Sequence, residues 1–108
     1  MGTNRRYAAH FDRLMDERII QRVADTAGPL QTLSSEELEL EREPFTRDPQ
    51  PKPVRAWVRF GDTPVLVDAE ACSWTRHAAA IRFTVAGREY KTWVWASAVR
   101  EAPQRPSP

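Results

Sequence analysis

The chain has 108 residues, 41% of them hydrophobic and 29% charged, with a formal net charge of +1, which is room for one domain with appendages. That balance is far from the strongly basic one of a dedicated nucleic-acid binder. No apolar run approaches the ~20 residues of a membrane span, and the charged stretch after Met1 is unlike a secretory signal.

The charge is unevenly spread. Residues 27–50 hold two arginines against six acids, and residues 51–108 hold nine cations against five acids. A basic C-terminal module is thus joined to an acidic connector, an electrostatic signature for an anionic partner. Cys72 is the one cysteine in the sequence, so no internal disulfide can form, and a reducing, cytoplasmic setting is expected. Fourteen arginines against two lysines, with abundant alanine and nine prolines, point to a GC-rich genome.

Residues 1–43 are expected to be helical. Thr3 or Asn4 can cap a first helix running to about Ala27, where Gly28-Pro29 stops it. Tyr7, Phe11, Leu14, Met15, Ile19 and Val23 recur at helical spacing, with Arg18 and Arg22 near the middle of the stripe. Such a helix either leans on its own domain or docks a partner. Ser34 and Glu37 form a capping box, and Leu33 with Leu38 a hydrophobic staple, which predicts a short helix from Ser35 to about Arg42. Pro44 ends it. Residues 44–53, with Pro49-Gln50-Pro51-Lys52-Pro53, are expected to be a stiff extended linker.

The remainder alternates like β-strands. Val54–Phe60 is followed by a turn at Gly61-Asp62-Thr63-Pro64, then by a long strand from Val65 to Trp74. Thr75-Arg76-His77 is the next turn, and Ala78–Val85 the next strand. A hairpin turn at Ala86-Gly87-Arg88-Glu89 leads into Tyr90–Trp95. Ala96-Ser97-Ala98-Val99 is a helical turn or a final strand, and residues 101–108 form a Pro-rich disordered tail. The fold class is therefore α+β, with four or five short strands in residues 54–100 that suffice to close a small antiparallel barrel.

This strand order, with Trp93-Val94-Trp95-Ala96-Ser97-Ala98-Val99 near its end, resembles an SH3-like small β-barrel over residues 54–100. The whole chain is similar to short proteins of actinobacteria and their phages. The resemblance is one of strand rhythm and carries no activity with it.

Side chains of a strand alternate faces. Arg55, Trp57 and Arg59 therefore share one face of their strand, and Lys91, Trp93 and Trp95 one face of theirs. These six residues are the candidate binding site. The indoles are either core beneath the N-terminal helix or an exposed surface. If exposed, they are of the types that dominate protein interfaces and also of the types that stack on bases. The expected function is a non-enzymatic interaction module with a protein partner, such as a phage accessory or structural component. Nucleic acid is the alternative partner, and no membrane is expected.

No cofactor or metal is expected, since Cys72, His10 and His77 lack ligand spacing. Cys72 with His77 is the one enzyme-like pairing, but no orienting acid or oxyanion motif accompanies it. Arg100-Glu101-Ala102-Pro103-Gln104-Arg105-Pro106 matches an R-x-x-P-x-x-P ligand pattern, as Pro-rich tails often do by chance.

Overall fold

A computed structural model describes residues 17–102. Helix α1 (Glu17–Thr26) and the short helix α2 (Ser35–Leu38) precede five strands. These are β1 (Thr46–Phe60), β2 (Thr63–Trp74), β3 (Ala78–Val85), β4 (Arg88–Trp95) and β5 (Val99–Glu101), with a 3₁₀ turn at Ala96–Ala98 between the last two. All pairings are antiparallel, in the spatial order β4-β3-β2-β1-β5. The sheet is open: β4 and β5 are its two edges and do not pair.

One face of the sheet carries the core. Val54, Ala56, Val58 and Phe60 of β1 face inward with Val65, Val67, Ala69 and Ala71 of β2, Ile81, Phe83 and Val85 of β3, and Val94 of β4. Phe60 lies edge-on to Phe83 and Tyr90, which stack on each other with centroids 5.2 Å apart. Helix α1 covers this face where it meets β2 and β3. Ile20 is buried in the core, with Val23 and Ala24 packed against it, so the described part of the helix leans on its own sheet. Glu17 reaches the β3–β4 hairpin, its carboxylate accepting the Ala86 amide. The stripe residues Tyr7, Phe11, Leu14 and Met15 lie outside the described residues.

The capping box forms as expected. The Ser34 hydroxyl accepts the Glu37 amide at 3.1 Å, and the Glu37 carboxylate accepts the Ser34 amide at 3.0 Å. The helix it starts is shorter than its pattern suggests, ending at Leu38 with Glu39 in the left-handed region at φ 50°. Continuing would stack Glu37 on Glu41 and Glu39 on Glu43, like charges four apart that oppose a helix. Leu38 is buried and anchors the turn. Ser34→Ala should cost ~1 kcal/mol, read as a lower midpoint in chemical denaturation with an unchanged slope.

The Pro-rich linker expected over residues 44–53 is not present as such. From Thr46 onward the chain already belongs to β1. Prolines at 49, 51 and 53 are two apart, so the amide hydrogens they lack all belonged to one edge of the strand, and their fixed φ is compatible with extended backbone. The β1–β2 register also slips between Arg47 and Lys52, where residues 48–51 stand opposite Cys72 alone. A bulge is where a strand tolerates proline. The other strand ends move little: β2 begins at Thr63 and β4 at Arg88. The turn at 75–77 is held by the Thr75 hydroxyl, which accepts the amides of His77 and Ala78. Ala96–Val99 supplies both a 3₁₀ turn and the start of the last strand.

Candidate functional site

Residues 29–33 tie together β1 and β4, two strands that the open sheet leaves apart. The Gln31 amide donates to the Arg59 carbonyl at 2.8 Å, and Leu30 bridges to Phe60. Two residues on, the Leu33 amide donates to the Trp93 carbonyl at 3.0 Å, and the Trp93 amide donates to the Thr32 hydroxyl at 3.1 Å. The Thr92 hydroxyl donates to the Gln31 carbonyl. The segment thus spans from β1 to β4 and satisfies backbone groups on both.

Beside it lies a groove of about 550 Å³. Trp57 and Arg59 line it from β1, Trp93 and Trp95 from β4, Leu33 and Glu37 from the spanning segment and α2, and Asp62 from the β1–β2 turn. The alternation read from the sequence puts Trp93 and Trp95 on the same face, opposite Ala80 and Ala78 of β3, while Trp57 stands opposite Leu66 of β2. Trp95 is 43% exposed, and Trp57 and Trp93 are half-buried. Trp93 also meets Phe45 edge to face at 6.5 Å. Four of the six candidate residues (Trp57, Arg59, Trp93 and Trp95) therefore line one groove.

Arg55 and Lys91 do not line it. Arg55 pairs across the strands with Asp68, its Nε 3.1 Å from the carboxylate. Lys91 points instead to a second cleft of about 600 Å³ on the other side of Trp93. Its walls are Arg47 of β1, Cys72 and Ser73 of β2, Ala80 and Arg82 of β3, and Lys91, Thr92 and Trp93 of β4. Cross-strand register explains the cluster. Arg47, Ser73, Ala80 and Trp93 form one row, and Glu70, Arg82 and Lys91 the next. The slip between Ala71 and Ser73 turns Ser73 to the outer side of the sheet. Alternation alone assigns it to the core, which is why Arg47, Ser73 and Arg82 carried no signal in the sequence.

Arg82 donates from Nε and Nη2 to Glu70, at 3.2 and 2.9 Å. That hydrogen bond, then the neighbouring Cys72 thiol and the Glu70 charge, hold the guanidinium above its ordinary pKa. Cys72 and His77 face different partners: the thiol donates to the Glu70 carbonyl at 3.7 Å, and His77 lies 4.0 Å from Glu43. Among the described residues, no three His, Cys, Asp or Glu side chains are grouped to hold a metal ion, and no helix is long and apolar enough to cross a membrane.

Fold and grooves together define a small α+β protein whose open five-stranded sheet is bridged by its own N-terminal segment. No family model matches the chain, and neither curated proteins nor solved structures give a match.

Proposed function

We propose that this protein is a non-enzymatic interaction module, built on an SH3-like small barrel, that holds an extended segment of a protein partner in the Trp57–Trp93–Trp95 groove. The barrel reading is supported by the strand order β4-β3-β2-β1-β5 and by the 3₁₀ turn that carries β4 into β5. The observation that carries the functional reading is the convergence of three partly exposed indoles on one groove. Tryptophan concentrates binding energy where it is flanked by residues that exclude water. Among the described residues, Glu37 and Asp62 sit in the same groove against a single cation, Arg59. That balance repels a phosphate backbone and favours a polypeptide with apolar side chains around a lysine or arginine. The lone Cys72 fits a cytoplasmic setting, and a phage accessory or structural component is the kind of protein this reading describes.

The test is selection of binding peptides from a random display library on the full chain, followed by mapping on indole N–H resonances. Selected peptides should carry apolar residues around a cation and shift the signals of Trp57, Trp93 and Trp95. Trp95→Ala should weaken them by ~2 kcal/mol or more, as truncation of a hot spot does, with thermal stability nearly unchanged because the side chain is exposed. A variant that instead loses its near-UV dichroism would place the indole in the core and overturn the site.

A further inference from the structure

We propose that the cleft between β2 and β4, on the far side of Trp93 from the tryptophan groove, is a binding site for a single phosphate monoester. Three cations converge on it from three strands: Arg47, Arg82 and Lys91. Arg47 makes no ion pair or side-chain hydrogen bond among the described residues. Arg82 spends Nε and Nη2 on Glu70, which leaves its Nη1 amino group for a second anion. Among the described residues, Lys91 is held only by an exposed contact to Glu89 at 3.6 Å, of the kind that contributes little and exchanges easily.

The floor of the cleft supplies an independent observation. Ser73 is only 7% exposed, yet lines the cleft, and its hydroxyl takes part in no hydrogen bond among the described residues. Among the described residues no buried side-chain oxygen or nitrogen lacks a partner, so this hydroxyl is open to the cleft and not sealed beneath it. A hydroxyl turned to an open cleft beside three cations is placed to donate to an oxyanion. Trp93 closes one side, so an aromatic carrier of the phosphate has an indole to lie against.

The rim decides between one phosphate and a strand of them. Glu70 and Glu89 are half exposed beside Arg82 and Lys91. A phosphodiester chain leaving the cleft would run past these carboxylates, whereas one phosphate meets only the cations inside. The same monoester chemistry comes either as free phosphate or as a phosphorylated aromatic ring, and the probes below separate the two. The site does not depend on what occupies the neighbouring groove.

Cys72 is the one cysteine of the chain and lies in the wall of the cleft, so its alkylation rate reports occupancy. The full chain is titrated with inorganic phosphate, phenyl phosphate and a single-stranded oligothymidylate, with potassium chloride at matched ionic strength as control. The amide spectrum and the rate of Cys72 alkylation by iodoacetamide are followed. Phosphate and phenyl phosphate should shift Ser73, Arg82 and Thr92 saturably and protect Cys72. Tighter binding of phenyl phosphate identifies an aromatic carrier, and equal binding identifies free phosphate. Arg47→Gln, at an exposed position, should weaken binding about tenfold (~1.4 kcal/mol) without changing near-UV dichroism. Chloride protecting Cys72 equally, binding unaffected by Arg47→Gln, or the oligonucleotide binding more than about tenfold tighter with the steep salt dependence of phosphate contacts would each overturn the assignment.

Discussion

Gly61→Ala should be the most damaging small substitution in the chain. Gly61 turns β1 into β2 at φ +58° and donates its amide to the Pro29 carbonyl at 2.8 Å. A methyl group there would run into the Ala27 carbonyl oxygen and approach Gly28, which itself stands at φ +129° with no room for a side chain against Gly61. Two glycines thus mark a crossing where the end of α1 passes over the β1–β2 turn. The left-handed backbone costs ~1–2 kcal/mol for a residue with a Cβ, and forcing an atom against unyielding backbone adds ~1–3 kcal/mol. A total of ~2–5 kcal/mol corresponds to a fall in Tm of roughly 10 to 30 °C for a domain of this size. Gly87→Ala is the internal control. It has a similar φ of +81° but nothing within 4 Å, so backbone strain alone, ~1–2 kcal/mol, remains. Equal melting of the two variants would mean that the crossing yields.

What was legible in the sequence is local in character. The capping box at Ser34 and Glu37 sets a helix start through contacts three residues apart. Period-two alternation sorted Val54, Ala56, Val58 and Phe60 from Trp57 and Arg59, and the bounds of β3 follow from Thr75-Arg76-His77 and Ala86-Gly87 on either side. The gathering of Trp57 with Trp93 and Trp95 needed only that β1 and β4 come together. What was not legible depends on partners far along the chain. Pro49, Pro51 and Pro53 read as a linker because proline opposes strands in general, whereas the bulge opposite Cys72 takes in Pro49 and Pro51, and Pro53 stands in register with Glu70. Nothing local to residues 29–33 shows that their amides and carbonyls serve β1 and β4. Arg47 and Ser73 belong to a cleft only after a slip in register reverses which side of the sheet Ser73 faces. Cations were visible throughout, but which of them stand in one row was not.

A chain beginning at Ser34 should fail to fold, because the missing residues complete both the core and the sheet. Removing α1 strips Ile20 from the core along with the half-buried Val23, Ala24 and Ala27, and burial of one large aliphatic side chain alone is worth ~1.5–3 kcal/mol. Three backbone hydrogen bonds go with residues 29–33: Gln31 to Arg59 and Gly61 to Pro29, both 2.8 Å, and Leu33 to Trp93, 3.0 Å. Each contributes ~1 kcal/mol net. Leu30, which bridges to Phe60, would no longer cover a ring that is 1% exposed in the intact protein. The combined loss, ~5 kcal/mol, equals the low end of the whole stability of a small domain. The expected result is a collapsed chain that binds a hydrophobic dye, keeps far-UV strand signal and loses near-UV dichroism and amide dispersion. A truncated chain with sharp, dispersed resonances would show instead that the open sheet stands alone. Residues 29–33 would then be a detachable strap across β1 and β4, and with Leu33 gone the tryptophan groove would lose one wall while keeping Trp57, Trp93 and Trp95. Peptide binding by such a chain would separate the contribution of the indoles from that of the wall beside them.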